Sequence, residues 1–354
     1  MQINKIFKTY LPHLLFPLSI LYKIVVVFRN TLYDWRLIKI NELPCLVISI
    51  GNITTGGTGK TPTVLNLCSI LTKKNYKVSI LSRGYKRNTK NTLLVSQGQG
   101  PMCNWEESGD EPYMLSKMTK NIPIVVDENR YRGGLYILKH FKSDVVILDD
   151  GFQHRALKRD LDILLIDGSN PLSYRNIIPV GKLREPWKQI ERSNLIIFTK
   201  KKPSIHLLKK VKKTNIPIFQ SITTSEISNH SPNKSELDLQ NKNVFLVSGI
   251  GNPVFFRETV KDMGGVIKGE KVFPDHYKYK QRDLLSLEKI AASINTDFIV
   301  TTEKDWVKLD SLNATFPFIV INIKILIEDN ENEFSKLIDI KFGQHPMQKP
   351  HQRT

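Results

Sequence analysis

An apolar run that opens straight into glycines, VISIGNITTGGTGKTP (Val47–Pro62), restricts this chain more than any other stretch. Apolar and β-branched residues, then Gly56, Gly57 and Gly59, then Lys60, Thr61 and the helical-looking TPTVLNLCSIL read as strand, tight turn and helix. A phosphate-binding loop needs that order. Its glycines let backbone N–H groups converge, a helix N-terminus lies behind them, the lysine reaches the β/γ-phosphates, and a hydroxyl faces Mg²⁺. The usual spacing is G-x-x-x-x-G-K-[ST], yet Thr54 stands where the first glycine is expected. A threonine there constrains the turn and removes none of the phosphate donors. Pro62 is tolerated in a first helical turn, where its missing N–H has no intrahelical partner to lose. The nucleotide-binding set is therefore Thr54, Thr55, Gly56, Gly57, Thr58, Gly59, Lys60 and Thr61, with a nucleotide and Mg²⁺ as cofactors and Lys60 also acting on the phosphates.

Around this loop, short apolar runs at Cys45–Asn52, Val78–Ser82, Ile122–Asp127, Val145–Asp150, Asp162–Asp167 and Leu195–Lys200 alternate with helical-looking stretches. They predict βα units in a mostly parallel, Rossmann-like P-loop sheet, an α/β fold. From Thr223 to Asn243 the sequence turns polar and reads as a linker. Beyond it, strands at Val244–Ser248, Asp297–Thr302 and Phe318–Ile327, with helices at Pro253–Met263 and Gln281–Ile294, predict a second, smaller α/β domain. The expected organisation is an N-terminal membrane-interface helix (1–40), a P-loop domain (41–222), a linker (223–243), the smaller domain (244–340) and a disordered tail (341–354).

Lys and Arg outnumber Asp and Glu by 52 to 34, and the net charge of +18 favours anionic partners. Part of that surplus, in KKKPSIHLLKKVKK (Lys200–Lys213), is equally well explained as a solvated basic face. Tyr10–Arg36 is strongly apolar but broken by Pro12, His13, Pro17 and Lys23, which argues against a spanning helix. No small-residue cleavage site follows it. The favoured reading is a helix in a membrane interface, with Lys5, Lys8, Lys23, Arg29, Arg36 and Lys39 available to lipid phosphates. A helix packed on the protein's own sheet is the alternative. Cys45, Cys68 and Cys103 have neither metal-site nor disulfide-framework spacing, which fits a reducing cytoplasm.

Loops of this type work with a second strand that ends in an acidic residue near Mg²⁺. Val145–Leu148 runs into Asp149 and Asp150, at the strand end where such sheets place ligands. Either carboxylate can hold the metal directly or through water, together with Thr61. LSRGYKR puts Arg83 and Tyr85 just past another strand end, where they can meet an anionic substrate; a solvated basic turn is the alternative. Asp110, in SGDEP, is a candidate acceptor for a hydroxyl proton, or else a helix N-cap. His276 lies in a loop, bracketed by Asp275 and Tyr277.

The set GNITTGGTGKTP, LSRGYKR, ESGDEPYML, LDDGFQHRALKRDLDILLID, IPVGKLREP, FPDHYKY and TTEKDWVKL, running from Ile50 to Leu309 in one order, closely resembles the tetraacyldisaccharide 4'-kinases, or lipid A disaccharide kinases. These are peripheral enzymes of the bacterial inner membrane, on its cytoplasmic face, and their loop also lacks the first glycine. The resemblance implies transfer of phosphate from ATP to the sugar 4'-hydroxyl of a tetraacylated glucosamine disaccharide 1-phosphate in lipid A biosynthesis. A phosphate-bearing, acylated substrate lying in an anionic membrane suits the basic surplus and the interfacial helix. It further implies that Asp110 pairs with His276 as a catalytic dyad, here expected to bridge two lobes and form on closure, with the histidine drawn toward its imidazolium form. It also implies that Arg184 and Glu185 approach the base and ribose of the nucleotide. Glu303, Lys304 and Asp305 receive no role. A monomer is expected.

Other classes fit less well. A membrane-associated ATPase switch of the deviant-loop type would carry an extra lysine early in the loop, where Thr54 and Thr55 stand. A GTPase needs [NT]-K-x-D, which neither TEKD (Thr302–Asp305) nor TKKK (Thr199–Lys202) supplies. Nucleic-acid binding is not expected, because no aromatic-interleaved basic patch, helix-turn-helix or zinc-finger spacing is present.

Overall fold

A computed structural model of the chain describes residues 3–169, 176–228, 231–232, 238–328 and 331–344. In chain order the strands are β1 (Leu46–Asn52), β2 (Val78–Ser82), β3 (Leu93–Ser96), β4 (Ile124–Val126), β5 (Val145–Asp149) and β6 (Leu161–Asp167). They continue with β7 (Leu195–Thr199), β8 (Ile218–Ile227), β9 (Asn243–Ser248), β10 (Val266–Val272), β11 (Phe298–Thr302) and β12 (Phe318–Ile327). The α-helices begin with α1 (Ile3–Asp34), α2 (Lys60–Lys73), α3 (Trp105–Ser108), α4 (Asp110–Met118) and α5 (Arg130–Phe141). They end with α6 (Ile205–Lys212), α7 (Pro253–Asp262), α8 (Gln281–Ser293), α9 (Glu303–Leu309) and α10 (Glu331–Gln344).

The chain divides into two compact units. The first comprises Met1–Ser82, Asn129–Ile222 and Leu326–Thr354; the second comprises Arg83–Glu128 and Thr223–Ile325. These bounds differ from the expected ones. The segment from Arg83 to Glu128 belongs with the smaller lobe's residues, because α4 packs on α9. The polar stretch after Thr223 is no simple linker: β8 runs through it to Ile227, and Leu239 is fully buried in the second unit's core. Residues 229, 230 and 233–237 lie outside the described residues.

In the first unit the order β8-β7-β6-β1-β5-β2 is parallel throughout. Every residue of β1 is buried, as expected of a strand covered on both faces. From β1 the chain passes through α2 to β2, whereas from β5 it goes to β6 on the other side of β1. The reversal leaves a crevice beyond the carboxyl ends of β1 and β5, where ligands of such sheets bind. Helix α2 closes one face with Val64, Leu67, Cys68 and Leu71, a single stripe at helical spacing.

Helix α1 is one unbroken element through Pro12 and Pro17, each of which removes a ladder donor without ending it. Its stretch Leu15–Asp34 is long and apolar enough to cross a membrane by length and composition. Its placement argues otherwise. Ser19, Tyr22, Val26, Arg29 and Asn30 form a ridge turned toward the unit, and polar bonds fix it: Ser19 Oγ donates to Ile177 O (2.9 Å), and Tyr22 Oη to Arg184 O (3.0 Å). The opposite face leaves Phe16, Leu21, Ile24, Val25 and Phe28 exposed. Lys5 and Lys8 lie outside the described side chains.

At the other end α10 continues to Gln344, with Phe342 stacked on Tyr76 at 3.9 Å, so the tail is ordered beyond the expected boundary at 341. Residues 345–354 lie outside the described residues. In the second unit β10-β9-β11-β12 is a parallel sheet, and β3 pairs antiparallel with β4. The strands β3, β8 and β10 were not expected from the sequence; β10 is largely exposed and polar, so its apolar pattern is weak.

Candidate active site

The loop after β1 forms as its glycines require. Gly59 takes φ +83 and Gly56 φ +105, the left-handed region that disfavours any side chain. Helix α2 starts at Lys60 with Gly59 as its N-cap and no side chain capping it, so its first N–H groups are available to an anion. Asn52 Nδ2 donates to Thr58 Oγ1 at 2.8 Å, and Thr63 Oγ1 donates to Gly59 O at 2.8 Å, which stiffens the turn from both sides.

Thr54 and Thr55 play a different part from the one expected. Thr54 is buried and forms an isolated antiparallel bridge with Leu183, while the Thr55 amide donates to Lys182 O at 2.7 Å. That amide is therefore not free for phosphate. The position that commonly holds a glycine here holds a residue in extended pairing, for which threonine is well suited. The available donors begin at Gly56.

Beyond β5, Asp150 sits at φ +52, an uncommon conformation for a residue with a Cβ. Gly51 lets the turn approach β1 closely: a Cβ there would lie 2.6 Å from Phe152 Cβ. Arg184 Nη1 donates to both Asp150 oxygens (3.1 and 3.0 Å), and Lys60 Nζ lies 3.9 Å from Oδ1. Burial alone would raise the Asp150 pKa, but Lys60, Arg184 and the buried Arg130 of α5 together hold it below the ordinary carboxylate value. Asp149 is buried and accepts from Ser82 Oγ at 3.2 Å.

Thr61, Asp149 and Asp150 suit magnesium chemically. They are hard oxygen donors, and no cluster of three or more His, Cys, Asp or Glu among the described residues forms a protein-only cage. A magnesium ion shared with substrate phosphates and water needs only one or two carboxylates.

Glu185 does not face a nucleotide. It is fully buried, with Oε1 bonded to Arg29 Nη2 of α1 (3.0 Å) and Oε2 to Arg192 Nη2 (2.5 Å). The expected nucleotide contact is thus a structural ion pair that fixes the loop carrying Arg184. Arg184 itself points at Asp150 rather than away toward a base. Gln153, which sequence reasoning passed over, joins this group: its Nε2 donates to Asn52 O (2.8 Å), and Arg184 Nη1 donates to its Oε1 (3.4 Å).

In the second unit the RGY turn presses on the SGD turn. Gly84 has φ +66, and a Cβ on it would lie 2.6 Å from Ser108 O. Arg83 and Tyr85 are exposed there, and the Tyr85 ring meets His276 edge-on with centroids 5.3 Å apart. Asp110 opens α4, capped by Gly109 rather than serving as the cap itself, with its Oδ1 accepting the Glu111 N–H at 3.0 Å.

His276 Nδ1 lies 2.8 Å from Asp110 Oδ2. Both belong to the second unit, so the pair lies within one compact body and not across the expected boundary at 223–243. His276 has φ +62, a strained backbone of the kind that persists where surroundings over-determine it. Burial would raise the Asp110 pKa, but the His276 hydrogen bond, Lys304 and Lys308 bring it below the ordinary value.

The TTEKDWVKL stretch is built into the same unit. Ser228 Oγ donates to Glu303, and Asp305, wholly buried, accepts from Gly249 N (2.9 Å), Thr302 Oγ1 (2.8 Å) and Tyr279 Oη (3.1 Å). Lys304 Nζ reaches Asp275 Oδ1 (3.0 Å) and His276 Nε2 (3.2 Å). An ammonium can only donate, so the ring nitrogen accepts there. The histidine is thereby arranged as a donor through Nδ1 toward Asp110.

A family described as tetraacyldisaccharide-1-P 4'-kinase matches residues 11–342. The tetraacyldisaccharide 4'-kinase of Aquifex aeolicus (strain VF5) is 39% identical over 324 residues, spanning 92% of this chain and 97% of the relative. That of Halothermothrix orenii is 33% identical over 350 residues, spanning 92% and 91%. A crystal structure of LpxK from Aquifex aeolicus in complex with ATP aligns with a TM-score of 0.74 at 36% identity, covering 94% of this chain and 99% of that one.

Proposed function

The chain belongs to the tetraacyldisaccharide 4'-kinase family and uses ATP to phosphorylate the 4'-hydroxyl of a lipid A disaccharide precursor; from that premise we propose which residues do the work and where. The amides from Gly56 to Thr61 and the N-terminus of α2 hold the triphosphate, and Lys60 exchanges its contact with Asp150 for the β/γ-phosphates. Thr61 with Asp149 and Asp150 would hold Mg²⁺, which neutralises charge on the transferring phosphate when bound. Arg184 keeps Asp150 aimed and charged. Asp110 accepts the proton of the sugar hydroxyl. His276 orients it, since the ring's other nitrogen is engaged by Lys304. Tyr85 and Arg83 face the disaccharide.

The uncapped helix N-terminus behind the glycine loop carries the nucleotide assignment. Labelled ATP and an acylated disaccharide phosphate in detergent test it. Lys60→Ala should slow label transfer by about a hundredfold or more. Parental transfer would remove the loop from the chemistry, and label appearing only as free phosphate would revive the ATPase-switch reading.

We also place the enzyme peripherally on an anionic membrane surface through α1. One face of that helix is bonded to its own unit and the other is an apolar surface, the arrangement of an interfacial helix. Replacing Leu21, Ile24 and Phe28 by glutamate should abolish flotation with phosphatidylglycerol vesicles. Undiminished flotation would refute the placement.

A further inference from the structure

Helix α9 carries two lysines four residues apart, which a helix sets one turn apart on one face. They meet Asp110 and His276 from two sides. Lys304 Nζ lies 3.2 Å from His276 Nε2, 3.0 Å from Asp275 Oδ1 and 3.5 Å from Glu111 Oε1. Lys308 is buried, its side chain 1% exposed, and its Nζ has no hydrogen-bond partner among the described residues. That nitrogen lies 3.8 Å from Asp110 Oδ2 and 3.6 Å from Asp305 Oδ1, with the Tyr279 ring centroid at 5.6 Å.

A buried ammonium is expensive to maintain, and a methionine or leucine would fill the same space at no electrostatic cost. The nitrogen lies between two buried carboxylates: Asp305 already accepts from three uncharged donors and is one of its countercharges. Asp110 is the other, and it gains from a fixed positive charge at this point. On the other side Lys304 decides the proton arrangement. Its ammonium has donors and no lone pair, so His276 Nε2 must accept, and the ring's hydrogen must be on Nδ1, facing Asp110. Without Lys304, Nε2 could carry the hydrogen toward Asp275, whose Oδ2 lies 3.8 Å away. The ring would then turn a bare nitrogen lone pair against the Asp110 carboxylate.

We propose that Lys304 and Lys308 are positioning residues that clamp the Asp110–His276 pair, Lys304 by fixing the histidine tautomer and Lys308 by keeping the aspartate an anion. The clamp rests on the reading of Asp110 as the proton acceptor. Glu111, Asp275 and Asp305 are the other charged groups facing it; burial would lower the Lys304 pKa, but Glu111, Asp110 and Asp275 raise it above the ordinary lysine value.

The test uses the full chain in the detergent–lipid assay, with thermal melting to show that each variant is folded. Lys304→Met should lower kcat at least about tenfold while KM for ATP stays within about twofold. The acid limb of its kcat–pH profile should move to higher pH, because losing the cation makes Asp110 easier to protonate. Lys304→Arg, which still donates, should recover part of both. Lys308→Met should shift the limb in the same direction, and where it does not fold Lys304 alone decides. A Lys304→Met enzyme with parental kcat and an unmoved limb overturns the clamp, as does a loss of kcat with an unmoved limb and no recovery by arginine. If Asp110→Asn itself turns over normally, the underlying proton-acceptor reading fails instead.

Discussion

In the mechanism proposed above the first unit grips phosphate with its backbone, whereas the second prepares a proton acceptor mainly with side chains. The loop from Gly56 to Thr61 is contiguous, and its donors are amides that any sequence permitting the turn would supply. The cluster at Asp110 gathers α4 with the turn at His276 and α9, both of which lie more than a hundred residues further along the chain. A backbone site tolerates variation such as Thr54, provided the variant residue finds a local use, here the bridge to Leu183. A side-chain site has no such latitude, because each member's charge state depends on its neighbours.

Substitutions should expose that contrast most sharply at the cluster. Asp110→Asn and His276→Ala should each reduce kcat by about a hundredfold or more, while binding of a fluorescent ATP analogue is unchanged. A parallel loss of nucleotide affinity would show that the two kinds of site are not separable.

A smaller effect, on stability, is expected in the first unit. Glu185→Gln leaves Arg29 and Arg192 facing a neutral amide in a buried position and should cost about 3 kcal/mol, read by urea unfolding. An unchanged midpoint would mean that the Arg29–Glu185–Arg192 group is not holding the Arg184 loop.

The smallest effect is shared by both units and depends on pH. Asp110 and Asp150 have folded pKa values below their unfolded ones, each for the cationic neighbours described above. Their contribution is therefore complete above the unfolded carboxylate value, about 3.9, and is lost as pH falls below it through the folded values. Melting temperature should fall between about pH 4 and pH 2, and less steeply in Asp110→Asn. An equal slope in that variant would assign the acid sensitivity elsewhere.

What could be read from the sequence follows the same division. The strands at Val78–Ser82 and Val145–Asp149 are visible as apolar runs because both faces are buried, and the phosphate loop is visible because its function is local. The grouping of Arg83–Glu128 with the second unit was not, because nothing in a linear pattern records which sheet a returning segment joins. Glu185 was misread for a similar reason. Its nucleotide contact was implied by resemblance, and its partner Arg29 lies far upstream in a helix judged by its apolar residues, so nothing local to the Arg–Glu dipeptide recorded the buried ion pair. Lys304 and Lys308 left a faint trace in their four-residue spacing, but only the positions of Asp110 and His276 give that spacing a meaning.

The ridge on α1 has a practical consequence for anyone handling this enzyme. Deleting a greasy N-terminal helix is a common route to a better-behaved preparation. Here the deletion would take away Arg29 and Tyr22, strand Glu185 with half its counter-charge, and release the carbonyl of Arg184. The trimmed protein would gain solubility at the expense of the scaffold that aims Asp150, so poor ATP turnover by such a fragment would say little about the intact enzyme.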